Sequence, residues 1–253
     1  MTPGNPPNAP GRRAAITAHI RDAQDVWNRF DGAEYDRLFP PDSPRFILTD
    51  RPLIAAAHGR VLEVGCGTGR LAMKLPAGTR YVGTDLAGPL LARARGKGLA
   101  VVFGAGEELP FRNESFDAVL GGFYSFRDVL PSQGYREIHR VLTPGGRLVF
   151  TLLSIRLARL RAVLHHLKKF RRWPPADPPL PPDCHYFRRM TEETRLFREN
   201  GFRLRAVHST LWLPVIHRIL PVRRRLWTGS LWTMLADEVI LVAVKPRGAR
   251  ETH

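Results

Sequence analysis

The spacing of apolar residues changes along the chain, and each change predicts a different element. From Ala14 onward, Ile16, Ile20, Ala23, Trp27 and Phe30 recur three or four residues apart, the period of an amphipathic helix. The cluster Pro40-Pro41-Asp42-Ser43-Pro44 ends that pattern. Between residues 60 and 153 the pattern alternates. Short apolar, β-branched runs at 60–64, 80–84, 100–103, 117–120 and 147–153 are separated by helical spacing at 71–75, 89–95 and 135–142. Strands alternating with helices predict βαβ units and a parallel sheet covered on both faces. Thr143-Pro144-Gly145-Gly146 closes the helix before the fifth strand, because proline and glycine both end helices. After Leu153 the alternation stops. Leu157, Leu160, Leu164 and Leu167 mark one face of a basic stretch over 154–173 that holds seven Arg/Lys. Six prolines between Pro174 and Pro182 predict an extended linker. Thr191-Glu192-Glu193 starts a further helix, Gly201 stops it, and 202–210 and 238–244 read as two final strands.

Composition narrows the class. At 253 residues the chain can bury a sizeable core, and 43% hydrophobic with 25% charged residues is ordinary for a globular protein. No apolar run approaches the ~18–20 residues of a membrane span, and the first residues lack the apolar segment of a signal peptide. Cys66 and Cys184 make no disulfide framework, and a reducing, cytoplasmic setting is expected. The net charge of +16 is uneven: residues 154–253 carry 20 basic and 8 acidic side chains, against 19 and 15 before them. Such an excess suits an anionic ligand, phospholipid headgroups or nucleic acid, and equally a solvated surface.

The segment Arg60-Val61-Leu62-Glu63-Val64-Gly65-Cys66-Gly67-Thr68-Gly69-Arg70 carries the chemistry. A β-branched strand runs into three alternating glycines, which permit a sharp turn and close approach of a ligand to the main chain. A dinucleotide fingerprint would place its third glycine at residue 70, which is arginine. A second strand ends at Asp85, 22 residues after Glu63, where a carboxylate can accept both hydroxyls of a ribose. The spacing points to a nucleoside without a pyrophosphate.

This segment resembles the cofactor motif of the class I S-adenosylmethionine-dependent methyltransferases, in particular the small-molecule group that includes the ubiquinone and menaquinone biosynthesis enzymes. Further matches follow in family order: Phe30-Asp31-Gly32-Ala33-Glu34-Tyr35-Asp36, Glu107-Glu108-Leu109-Pro110-Phe111, Ser115-Phe116-Asp117-Ala118-Val119, and the run from Arg136 to Leu148. The resemblance implies an α/β, Rossmann-like sheet of seven mostly parallel strands, helices on both faces and the last strand antiparallel. It implies S-adenosyl-L-methionine as cofactor. Gly65, Cys66, Gly67 and Gly69, with Glu63 before them, would form the loop beneath its methionine part. Asp85 would hold the ribose and Leu86 would pack on the adenine. Gly121 to Phe123, Gly122 among them, would lie near the sulfonium, and Tyr35 would close over the amino-acid end. Where the family carries an aspartate toward the adenine amino group this chain has Ala105, leaving the backbone of Gly106 and the Glu107 side chain to meet that edge. Losing one such hydrogen bond costs roughly 1 kcal/mol, so the cofactor assignment stands.

The implied organisation is a tail over 1–13, a methyltransferase domain over 14–245 and a short tail over 246–253. Within the domain lie a helical cap at 14–50, a cofactor core at 51–153, an acceptor-side insert at 154–190 and a C-terminal helix with strands at 191–245. The acceptor side is less specific. Family members often carry a histidine pair after the fourth strand, where this chain has Phe126 and Arg127. Candidate bases are Tyr124, His165, His166 and His185, and no metal-ligand spacing is recognised. The expected acceptor is small and largely apolar: a quinone, a lipid-like molecule or a secondary metabolite. The stretch 154–173 could also contact an anionic membrane or ligand. RNA methylation is suggested by charge alone, since Gly121-Gly122-Phe123-Tyr124 stands where amino-directed nucleic-acid enzymes carry Asn/Asp-Pro-Pro-Tyr/Phe. A cofactor-binding or membrane-surface module without catalysis is the remaining alternative.

Overall fold

The computed structural model describes residues 10–123, 125–156, 163, 185–187, 189–210, 227–228 and 238–247. Among the described residues eight strands form one sheet: β1 (Arg60–Val64), β2 (Arg80–Asp85), β3 (Val101–Phe103), β4 (Phe116–Gly121), β5 (Leu142–Leu153), β6 (Arg203–Thr210), β7 (Trp227–Thr228) and β8 (Glu238–Val244). Their order is β3-β2-β1-β4-β5-β8-β6-β7. The first five pair in parallel, while β8 runs antiparallel to both β5 and β6. These are the seven strands and the reversed last strand that the family resemblance implies. The two-residue β7, paired antiparallel with β6, is an addition that no apolar run announced.

Residues of β1 alternate between two cores, as a period of two requires. Leu62 and Val64 join Val119, Leu148 and Phe150 under Tyr135 and Ile138 of α5 (Pro131–Val141) and Phe197 of α6 (Met190–Glu199). Val61 faces the other way, with Ala118, Leu120, Val149 and Ile240 under Leu53 and Ala56 of α3 (Pro44–Ala56). Burial on both faces explains why these strands read as continuous apolar runs. Each fully buried Leu, Ile or Phe here contributes about 1.5–3 kcal/mol. At the base, Arg60 grips Asp117 through its backbone N–H (2.9 Å) and guanidinium (3.0 Å), fixing β1 against β4.

Several boundaries differ from the sequence reading. Helix α1 (Pro10–Trp27) takes in residues of the expected 1–13 tail. The expected cap–core division at 50/51 falls inside α3. Residues 71–75 make only a 3-10 turn, Ala72–Lys74, because Leu75 precedes Pro76 and takes an extended ψ of 150°. The Thr143-Pro144-Gly145-Gly146 turn is absorbed into β5, which begins at Leu142 with a bulge opposite β4. Of the basic stretch 154–173, only 154–156 and 163 are among the described residues. Among the described residues no helix is long and apolar enough to cross a membrane.

Between β1 and β4 the connections reverse direction, β2 and β3 lying to one side and β5 to the other. A ligand crevice in such a sheet opens outside the carboxyl ends of the strands at this switch point. Over it lie the end of α1 and the short α2 (Gly32–Leu38), whose start is fixed by Asp31 accepting from the N–H groups of Ala33 (2.9 Å) and Glu34 (3.0 Å).

Candidate functional site

The crevice is floored by the loop after β1, walled by Asp85 and Leu86 on one side and Gly122 and Phe123 on the other, and covered by Trp27, Tyr35 and Phe39. The loop folds over the end of β2, with the N–H groups of Gly65 and Cys66 both donating to the carbonyl of Thr84 (2.8 and 3.0 Å). Gly65, Gly67 and Gly69 all have positive φ, +70°, +54° and +81°. Their roles nevertheless differ. A Cβ on Gly65 would strike the Ser125 side chain, and one on Gly69 would strike Leu99. A Cβ on Gly67 would meet nothing closer than Tyr35 Cε1 at 3.7 Å, so this glycine leaves open space between loop and cover.

Asp85 is held ready by the backbone. Its Oδ2 accepts from Gly67 N–H at 2.7 Å and its Oδ1 from Ala87 N–H at 2.8 Å. Burial pushes its carboxyl up, while those two N–H groups oppose the rise. Glu63 lies deeper. Burial pushes its carboxyl up to about 8, against the Tyr81 hydroxyl that donates to it at 2.7 Å and the charge of Arg70. Glu63 is therefore protonated at neutral pH in the protein alone. Glu107 is also pushed up by burial, opposed by the Leu130 N–H it accepts at 2.7 Å.

The cover is aromatic. Rings of Trp27, Phe30, Tyr35, Phe39, Phe123 and Phe46 follow one another with successive centroids 5.7, 6.0, 4.9, 4.8 and 4.9 Å apart. Burial pushes the Tyr35 phenol up to about 12, so it stays neutral. Phe123 sits at φ +50°, a left-handed conformation uncommon for an aromatic residue, which turns its ring between Phe39 and Phe46.

The structure brings Tyr35, Glu63, Gly65, Cys66, Gly67, Asp85, Leu86, Gly106, Glu107 and Gly122 together around one cavity. Three residues expected there do not line it. Gly69 and Gly121 are glycines for packing, against Leu99 and Phe126 respectively. Ala105 is buried and bridges to Glu108, and Gly104 and Gly106 line the cavity on either side of it. His185 does not line the cavity either; its Nε2 lies 3.1 Å from Glu193 Oε1 in the core beside Tyr135 and Phe150. Tyr124, His165 and His166 lie outside the described residues.

Sequence reasoning missed Arg70 and Ser125. The Arg70 guanidinium is buried over the Phe46 ring (3.9 Å) and ion-paired with Asp50 of α3, Nη2 to Oδ1 being 3.0 Å. Ser125 Oγ is buried in the cavity wall with no hydrogen-bond partner among the described residues. Arginine directly after the third glycine was visible in the chain; its partner, twenty residues upstream on another helix, was not.

A parallel sheet with a reversed last strand, an alternating-glycine loop after β1 and a carboxylate at the tip of β2 define a nucleoside-binding enzyme of the methyltransferase class. The comparisons agree, and the chain belongs to the class I S-adenosylmethionine-dependent methyltransferases. A methyltransferase domain model matches residues 62–150. An uncharacterized protein of Mycobacterium tuberculosis is 32% identical over 216 residues, covering 83% of this chain and 72% of its own. The demethylmenaquinone methyltransferase of Thermus thermophilus is 45% identical over 139 residues, 44% of this chain and 62% of that enzyme. Among solved structures, a SAM-dependent methyltransferase from Thermotoga maritima shares the fold with a TM-score of 0.64 at 24% identity, covering 88% of this chain and 99% of that one. Family and fold imply S-adenosylmethionine as cofactor, and the open face of Gly67 beside a half-buried, oriented Asp85 fits it.

Proposed function

We propose that the chain transfers the methyl group of S-adenosylmethionine to a small, largely apolar acceptor of the quinone, lipid-like or secondary-metabolite kind. The observation that carries the acceptor class is the aromatic cover. Trp27, Tyr35, Phe39 and Phe123 all line the cavity, and such a surface favours planar or aliphatic groups over anionic ones. The name of the Thermus thermophilus relative, which covers part of this chain, supports the quinone end of that range.

When bound, the cofactor supplies an electrophilic methyl group on a sulfonium. Asp85 would accept from its ribose hydroxyls, Leu86 would flank its adenine, and Gly106 with Glu107 would border the adenine edge. Gly65 and Gly67 would pass beneath its methionine part. Methyl transfer is an in-line displacement, so the protein's contribution is alignment and exclusion of water. Cap residues Trp27, Tyr35 and Phe39 serve that exclusion.

Incubation with methyl-labelled cofactor tests the reading, using demethylated quinols and alkylated phenols as acceptors and bulk RNA as the rival substrate. Label extracted into organic solvent is the expected outcome. Label retained in RNA, or no transfer to any apolar acceptor, would contradict it.

A further inference from the structure

We propose that Asp36 is a positioning residue that latches the cap onto the glycine loop, so that cofactor binding and closure of α2 are one event. Asp36 follows Tyr35 on α2. While Tyr35 faces the cavity, the Asp36 carboxylate faces the loop and α4 (Gly88–Gly96). Its Oδ1 accepts from Thr68 Oγ1 at 2.6 Å, and its Oδ2 accepts from Arg93 Nε at 2.9 Å. Lys97 Nζ lies 2.9 Å from Oδ2 and donates also to the carbonyl of Thr68 at 2.9 Å. Asp36 and Lys97 keep only 16% and 19% side-chain exposure, so these charge-assisted bonds are partly shielded from water.

Two consecutive loop residues are thereby held from opposite sides. Gly67 N–H is bound by Asp85, the expected ribose carboxylate, and Thr68 is bound by Asp36 through its hydroxyl. A displacement of the loop when ribose engages Asp85 reaches the cap through one peptide unit. Conversely, the latch keeps Tyr35 in contact distance of the open face of Gly67. A Cβ on Gly32, at the start of α2, would strike Arg93 Cβ, so α2 packs closely on α4 at that end as well as holding it through Asp36.

The inference rests on the cofactor reading of the cleft, and the test separates the two. Full-length wild type, Asp36→Ala, Asp36→Asn, Thr68→Val and Thr68→Ser are titrated with S-adenosylhomocysteine, and amide exchange is followed with and without it. Asp36→Ala and Thr68→Val are expected to weaken binding about tenfold or more, Asp36→Asn to weaken it less, and Thr68→Ser to restore it. In the wild type the ligand is expected to protect the amides of both 65–69 and 32–39; in Asp36→Ala it protects only the first group. A merely structural role would lower stability without uncoupling the two segments. Unchanged affinity in Asp36→Ala and Asp36→Asn, or ligand protection of 32–39 persisting in both, would overturn the latch alone. Absence of binding by the wild type would overturn the cofactor reading with it.

Discussion

Alanine at Gly67 and alanine at Gly69 separate ligand binding from folding within one loop. Both positions are left-handed, φ +54° and +81°, where an L-residue costs about 1–2 kcal/mol. At Gly67 nothing is added to that cost, since the methyl would lie 3.7 Å from Tyr35 Cε1, an ordinary contact. At Gly69 the methyl overlaps Leu99 Cδ1 and reaches Ala94 Cβ at 3.8 Å, so the half-buried Leu99 side chain must turn aside, at a further cost of ~0.5–1.5 kcal/mol. Gly67→Ala is therefore expected to lose about 1–2 kcal/mol of stability, and Gly69→Ala roughly 1.5–3.5 kcal/mol. The order reverses for the ligand. Gly67 lines the cavity and Gly69 does not, so the methyl at 67 occupies the space between loop and cap. A loss of about a hundredfold in S-adenosylhomocysteine affinity, near 2.7 kcal/mol, is expected for Gly67→Ala. Gly69→Ala should lose much less once measured where the protein is folded. Urea unfolding gives the first quantity and isothermal calorimetry the second. Equal stability losses, or normal binding by Gly67→Ala, would refute the division of labour between the two glycines.

Two further outcomes follow from buried charge. Glu63 ionises near 4.5 in the unfolded chain but holds its proton to about 8 when folded, so its contribution to stability is full below 4.5 and lost as pH rises through 8. Glu63→Gln is expected to reduce the decline in unfolding free energy between pH 5 and pH 8 by a few kcal/mol, and an undiminished decline in urea melts would count against a buried, protonated Glu63. Asp50 is 3% exposed at its side chain and faces both Arg70 and Lys74. Asp50→Asn strands the Arg70 guanidinium and is expected to cost ~3–5 kcal/mol; a cost below ~1 kcal/mol in the same melts would mean that Arg70 is hydrated.

What the chain disclosed and what it hid divide along sequence distance. Strands β1 and β4 were legible because central parallel strands must be apolar on both faces, and the Glu63–Arg70 run because its glycines and Asp85 stand at ligand-specific spacing. The purpose of each glycine was not legible. Gly65, Gly69 and Gly121 answer to Ser125, Leu99 and Phe126, contacts that exist only after folding. Arg70 finds Asp50, and Phe123 finds Phe39 and Phe46, through the placement of α2 and α3 across the crevice. His185 shows the converse error. An imidazole within the expected 154–190 insert suggested a base, yet its Nε2 faces Glu193 in the core and it does not line the cavity. Leu71 and Leu75 suggested a helical turn, and Pro76 limits it to a 3-10 turn.

Calorimetric titration of the wild type and Asp85→Ala with S-adenosylhomocysteine tests the central claim most directly. The cradle of Gly65, Gly67 and Asp85 should give one site per chain with a dissociation constant on the order of micromolar, weakened at least tenfold in Asp85→Ala. No heat of binding in the wild type, or identical affinity in the two proteins, would contradict it.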